Sequence, residues 1–321
     1  MKSRKIKTVI LDGFSVTQND EKWTALEEIT TLTVYPRTNT DETIARCKDA
    51  EAVLTNKVQL SRKEIEALPT LRYIGVLATG YNVVDCEAAR EHGIIVANIP
   101  AYSTESVAQL VFAHLLNITN SVAHYAEARD KWPASPDFSW IDTQLTELAG
   151  KTFGIHGLGN IGTAVARIAH AFGMRVIAVT SRQSEALPPG VEKAAWSDVL
   201  READVLSLHC PLTPQTREII NNQALAMVKP TAILINTGRG PLVNEEAVAR
   251  ALYEHRLAAY CADVLSTEPP SPENPLLTAP RCFLTPHLAW ATREARKRLI
   301  ATATRNLQAY LDGQPVNVVN K

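Results

Sequence analysis

The sequence predicts an α/β protein built on two parallel sheets, and three observations predict it. Short apolar runs alternate with helix-like runs through the first hundred residues. A second alternating series starts at Lys151. The chain has 321 residues, a length that suits two domains.

In the first series TVILD, TLTVY, AVLT, RYIGVL and IIVAN read as strands. NDEKWTALEEI, DETIARC, SRKEIEALP and VDCEAAREHG read as the helices around them, with Asn19, Thr40 and Ser61 as the expected N-caps. A helical pattern then runs from Ser103 to about Arg129. The Pro- and aromatic-rich stretch WPASPDFSWIDTQL has neither period and reads as an irregular excursion suited to a dimer arm. Its Trp140, like Trp290 further on, is a candidate exposed aromatic. In the second series TFGIH, RVIAV, DVLSL, AILIN, AAYCAD and CFLT are the strands. The segment from Ala291 to Gly313 has helical composition and can cross back to the first domain. The expected division is therefore 1–100 plus 290–321, a discontinuous domain, and 101–289.

Composition narrows the function classes. Hydrophobic residues make up 45% and charged residues 21%, an ordinary soluble balance. A net charge of −1 gives no electrostatic case for nucleic acid or an anionic membrane as partner. The five cysteines are odd in number and lack CxxC spacing, which argues against a disulfide framework or a metal site and fits the cytoplasm. The opening MKSRKIK is basic, but the TVIL after it is too short for a signal-peptide core. VAQLVFAHLLNI is interrupted by Gln109 and His114 and reads as a buried helix rather than a membrane span.

The chemistry begins at GLGNIG, which matches G-x-G-x-x-G between a strand candidate and a helix candidate. In that context the match is the fingerprint of a Rossmann-type dinucleotide site. Gly157 permits the tight turn, Gly159 lets the backbone approach a pyrophosphate, and Gly162 permits close helix packing. Asn160 and Ile161 open the helix whose N-terminus faces the phosphate charge. An NAD-selective site places Asp or Glu after the next strand to bind the 2′-hydroxyl. Here RVIAV is followed by Thr180, Ser181 and Arg182, with no carboxylate until Glu185. Arg182 and Ser181 suit a 2′-phosphate, so NAD(P)H with a lean toward NADPH is the expected cofactor.

Three charged residues each follow an apolar run near the end of the chain. Arg239 follows AILINTG, Glu268 follows AAYCADVLST, and His287 follows CFLTP. Ligands of an open parallel sheet bind beyond the carboxyl ends of its strands, so the three can converge. A guanidinium, a carboxylate and an imidazole together can bind an acid and move a proton.

At this point the chain resembles the D-isomer-specific 2-hydroxyacid dehydrogenases over nearly its full length. The resemblance is carried by ATGYNVVD from Ala78 to Asp85, GLGNIG, HCPLTPQT from His209 to Thr216, INTGRGPLV from Ile235 to Val243, ADVLSTEPP from Ala262 to Pro270, and TPHLAWAT from Thr285 to Thr292. PHLAW and EPPSPENPLL look most like the glycerate dehydrogenase / hydroxypyruvate reductase branch. The resemblance implies two Rossmann-like or flavodoxin-like domains with a cleft between them, the first binding substrate and the second the dinucleotide.

It also implies roles. His287 matches the acid/base that protonates the carbonyl oxygen during reduction. Glu268 matches the carboxylate paired with it, which orients the imidazole and favours its charged form. Arg239 matches the residue that binds the substrate carboxylate, and the backbone of Ala78, Thr79 and Gly80 matches the loop that shares that task. Asp263 matches the partner of the nicotinamide carboxamide, near Thr237 and Gly238. Cys210, Pro211 and Thr216 match adenosine-side contacts, with Cys210 acting through its backbone and not as a nucleophile. Ser103 and Val107 open the helix that backs the nicotinamide. The implied reaction is hydride transfer to a short 2-oxo acid, hydroxypyruvate or glyoxylate by preference, giving the D-2-hydroxy acid. A homodimer is implied as well. The alternatives are a 3-phosphoglycerate dehydrogenase-like enzyme and a dinucleotide-sensing corepressor; the intact trio argues against a purely sensory role.

Overall fold

A computed structural model describes residues 4–321, so the first three residues of the MKSRKIK run lie outside the described residues. The chain forms two compact units. One comprises the described residues of Met1–Ser103 with Ala291–Lys321, and the other Thr104–Trp290.

The first unit holds β1 (Lys7–Ile10), β2 (Thr31–Val34), β3 (Ala52–Thr55), β4 (Tyr73–Val76) and β5 (Ile95–Ala97). Every pairing is parallel, in the order β2-β1-β3-β4-β5, the flavodoxin-like arrangement. β3 and β4 are buried along their whole length, as strands covered on both faces must be. The late return of the chain is anchored by side chains. Asn320 accepts from the Val96 amide and donates to the Ile94 carbonyl, and Asn306 donates to the carbonyl of Asn98. The helix Arg293–Leu311 buries Leu299, Ala303 and Leu307 and sets Tyr310 against Tyr73, ring centroids 4.9 Å apart.

The second unit holds β6 (Thr152–His156), β7 (Arg175–Val179), β8 (Val191–Lys193), β9 (Val205–Leu208), β10 (Ile233–Asn236), β11 (Ala259–Ala262) and β12 (Cys282–Leu284). Their order is β12-β11-β10-β9-β6-β7-β8, again wholly parallel. This is the doubly wound order of a dinucleotide-binding sheet, with its switch point between β6 and β9. Two apolar clusters fill its two faces. One gathers Val199, Leu208, Leu234 and Val248, and the other Val111, Phe153, Val165 and Ile235.

Local expectations met tertiary corrections. Ser61 does cap its helix, in a reciprocal box with Glu64. Asn19 does not: it sits at a φ of 66 in a turn, and the helix starts only at Thr24, after the buried Trp23. Thr40 is displaced by Asn39, whose side chain completes the box with Glu42. The helical run expected to reach Arg129 is one helix over Thr104–Asn120, broken by Ser121 in the left-handed region at φ 49, then a short helix Val122–Glu127. β8 and the short helix Gly13–Thr17 were not expected from their sequence pattern. Trp140 is half-buried within its own excursion, stacked on His124 and edge-on to Tyr125, with the Lys131 ammonium 5.5 Å from its ring. Trp290 is likewise half-buried. Among the described residues no helix is long and apolar enough to cross a membrane.

Candidate active site

The second unit brings the charged trio to one edge. β10, β11 and β12 are adjacent and parallel, and Arg239, Glu268 and His287 follow them in that order. His287 Nδ1 lies 2.5 Å from Glu268 Oε2, while Glu268 Oε1 accepts the Leu265 amide at 2.9 Å. Both side chains keep about a third of their surface, 31% for His287 and 34% for Glu268. The pair is therefore reachable yet partly shielded from screening by solvent.

Arg239 is exposed, and its Nη1 donates to the Gly238 carbonyl at 2.8 Å. Its turn is set by Asn236, the fully buried last residue of β10. Asn236 donates to the Arg239 carbonyl at 2.9 Å and accepts the Gly238 amide at 3.0 Å. Gly240 is required by close approach: a Cβ there would stand 2.0 Å from the carbonyl carbon of Leu265. The Arg239 turn and the Glu268 segment thus touch through backbone.

The His287 segment is held from beneath by Asp263, which is 1% exposed. Asp263 accepts the Thr285 hydroxyl at 2.6 Å, the Leu288 amide at 2.9 Å and the Ala289 amide at 2.8 Å. His287 between them has φ 51, a conformation a β-carbon disfavours. Two successive amides bonded to one buried carboxylate hold the backbone there and offset that cost. The helix Thr104–Asn120 adds two more ties. The Ser106 hydroxyl donates to the Ala289 carbonyl, and His114 Nε2 lies 3.3 Å from the Thr285 hydroxyl. Burial holds His114 below the usual imidazole range, with the nearby Asp263 charge opposing. Val107 is 5% exposed on the same helix, next to Ser106.

The glycine loop lies at the switch point. Gly157 has φ +99, and a Cβ on it would stand 2.5 Å from the Cys210 amide. The turn after β6 is therefore pressed against the turn after β9, and only glycine fits. A Cβ on Gly162 would stand 2.1 Å from the Gly157 carbonyl oxygen, so the helix Asn160–Ala171 starts directly under the turn. Gly159 is different: nothing lies within 4 Å of its Cβ position, and Gly159 and Asn160 are exposed at the helix N-terminus. A tight cradle with one open, donor-rich face fits a pyrophosphate. Thr237, 8% exposed, carries a hydroxyl with no hydrogen-bond partner among the described residues, which suits a polar ligand group beside it.

The loop after β9 is organised by Thr216, whose hydroxyl donates to the exposed Pro211's carbonyl at 2.7 Å and accepts the Thr213 amide at 2.8 Å. Burial pushes the Cys210 thiol up to about 11, so it stays a thiol at neutral pH. After β7, Ser181 is exposed and Arg182 half-buried. The Arg182 amide donates to the Thr180 hydroxyl, and its carbonyl accepts Lys193 Nζ at 2.7 Å. Lys193 carries no signal in the sequence, because nothing there marks β8 as a strand beside β7. Asn236 does carry one, as a polar residue closing an apolar strand. In the first unit, Ala78–Gly80 follows β4. Thr79 is pinned there by its hydroxyl to the Ile99 carbonyl and by its own carbonyl to Asn98 Nδ2.

Comparison with known proteins agrees with this geometry. The sequence profile described as D-isomer specific 2-hydroxyacid dehydrogenase, NAD binding domain, matches residues 111–289. A hydroxypyruvate reductase of Blautia hydrogenotrophica is 44% identical over 322 residues, covering 98% of this chain and 100% of that protein. A glycerate dehydrogenase of Methylorubrum extorquens is 36% identical over 87% of this chain and 88% of its own. Among solved structures, an acyclic imino acid reductase in complex with NADPH and D-Arg superposes with a TM-score of 0.85 at 28% identity, covering 98% of this chain and 100% of that one. A parallel sheet in doubly wound order, a glycine cradle at its switch point, and relatives matched end to end identify the chain as an oxidoreductase with a nicotinamide dinucleotide cofactor, a member of the D-isomer-specific 2-hydroxyacid dehydrogenase family.

Proposed function

We propose that the chain reduces a short 2-oxo acid, hydroxypyruvate or glyoxylate by preference, to the D-2-hydroxy acid in the cytoplasm. The observation that carries this reading is the 2.5 Å pairing of His287 with Glu268 one strand away from Arg239. Bound nicotinamide supplies the hydride. Glu268 engages Nδ1 and leaves Nε2, on the far side of the ring, to deliver a proton to the carbonyl oxygen. Arg239 offers a fork of donors to the substrate carboxylate and draws charge from the adjacent carbonyl. The amides of Ala78, Thr79 and Gly80 in the first unit are assigned to that carboxylate too, which makes the first unit the substrate-binding domain. Asn160, Ile161 and the three loop glycines hold the pyrophosphate. Cys210, Pro211 and Thr216 lie on the adenosine side, and Val107, Thr237, Gly238 and Asp263 on the nicotinamide side.

NADPH is the proposed cofactor. Arg182 and Lys193 put two cations beyond β7, and the Thr180–Arg182 segment itself carries no carboxylate to repel a 2′-phosphate. The test is an absorbance panel of 2-oxo acids with NADH and NADPH. Turnover with hydroxypyruvate or glyoxylate is expected, with a higher specificity constant for NADPH. Arg182→Ala should lower the NADPH to NADH ratio by roughly tenfold, the worth of one charge-assisted bond. An unchanged ratio rules out the nucleotide assignment, and no turnover with either acid rules out the substrate class.

The working form is proposed to be a homodimer. Trp132, Phe138, Ile141 and Leu145 crowd one excursion with large apolar side chains exposed, Phe138 at 93%. A second copy covering them would remove that apolar surface from water. Sedimentation should give a dimer for the native chain and a monomer for Phe138→Asp with Ile141→Asp. A native monomer at micromolar concentration discards the idea.

A further inference from the structure

Glu268 stands on an exposed, proline-rich loop with no regular secondary structure of its own. Its fixed position therefore needs an anchor outside the loop. The anchor is visible in Glu245, the first residue of the helix Glu245–Tyr253 that follows the Arg239 turn. Glu245 Oε1 accepts the Ser266 amide at 2.7 Å, and Oε2 accepts Asn274 Nδ2 at 2.7 Å. Ser266 and Asn274 lie on either side of Glu268, so one carboxylate clasps both ends of the segment that carries it. Asn274 is itself fixed, because its Oδ1 accepts the Leu276 amide at 3.0 Å. The helix is fixed in turn by Asn244, whose side chain accepts the Ala247 amide at 2.9 Å. A carboxylate in the first helical turn is also favoured by the helix dipole.

We propose that Glu245 is a positioning residue for the reaction: it sets where Glu268 meets His287, and it ties that pair to the Arg239 turn. This rests on the reading of His287 as acid/base. Glu245 touches neither the acid nor the ring; it acts by holding the loop. A reacting geometry lost by about an ångström can cost up to about a hundredfold in rate.

The clasp has a polarity that can be reversed. In Glu245→Gln the amide oxygen can still accept from Ser266, but the amide nitrogen faces the Asn274 nitrogen, donor against donor. Adding Asn274→Asp restores the pair the other way round, and the other Asp oxygen still accepts the Leu276 amide. Glu245→Gln is expected to lower kcat by about tenfold while NADPH affinity, read by fluorescence titration, stays at the wild-type value. Glu245→Gln with Asn274→Asp should recover most of that loss. In a Glu268→Gln background, Glu245→Gln should cost nothing further, because its effect passes through Glu268. Wild-type kcat in Glu245→Gln overturns the proposal. So does a loss that the second substitution fails to rescue, or one that adds in full to Glu268→Gln. Failure of the underlying reading looks different: His287→Ala would then turn over like the wild type.

Discussion

His287→Ala is expected to lose kcat by on the order of a hundredfold or more while binding NADPH normally. The imidazole is the proposed proton donor, and its ring is fixed by the Glu268 carboxylate at 2.5 Å. The segment beneath it does not depend on the side chain. Asp263 grips the amides of Leu288 and Ala289 and the Thr285 hydroxyl, all of which remain in the variant. Removing the ring also relieves none of the loop's backbone bonds, so folding and cofactor affinity should hold. Stopped-flow reduction with hydroxypyruvate gives kcat, and fluorescence titration gives the affinity. Wild-type turnover would refute the acid/base assignment. Weak NADPH binding would mean that the loss is structural rather than chemical.

Arg239→Ala should cost more in kcat/KM. Two charge-assisted hydrogen bonds to a carboxylate, at roughly 2 kcal/mol each, correspond to about a thousandfold. Arg239 is exposed, and among the described residues its side chain bonds only the Gly238 carbonyl, so the truncation leaves no buried partner there unpaired. The loss should appear in both KM and kcat, since the proposed role has the same fork bind the acid and polarise the carbonyl. Arg239→Lys should recover only part of it, because an ammonium supplies charge without the planar fork. If KM for hydroxypyruvate is unchanged in the alanine variant, Arg239 does not hold the substrate.

Much of this was legible in the chain. The fold class followed from alternating apolar and helix-like runs, because parallel strands covered on both faces read as continuous apolar segments. The glycine loop followed from spacing, because a turn where an added Cβ would stand 2.5 Å from a neighbouring backbone amide leaves no room for another residue. Pairing between residues far apart in sequence was not legible. Asn39 displaced Thr40 as a cap by one position, a difference local propensity does not resolve. Lys193 joined Arg182 only because β8 lies beside β7. Asp263 was legible only through the family resemblance, as a nicotinamide partner, and its grip on Thr285, Leu288 and Ala289 was not.

The sequence by itself determined the chemical inventory: a dinucleotide loop after β6 and a guanidinium, a carboxylate and an imidazole after three strands. Those features rest on local rules, the steric freedom of glycine and the burial of apolar strands, which act within a few residues. The tertiary structure decided the order in which the strands lie, and so made β10, β11 and β12 neighbours with their three charges on one edge. It also decided the supports, Asn236 under Arg239, Asp263 under His287 and Glu245 around Glu268. A hydrogen bond between distant residues depends on ångström distances that no sequence spacing encodes.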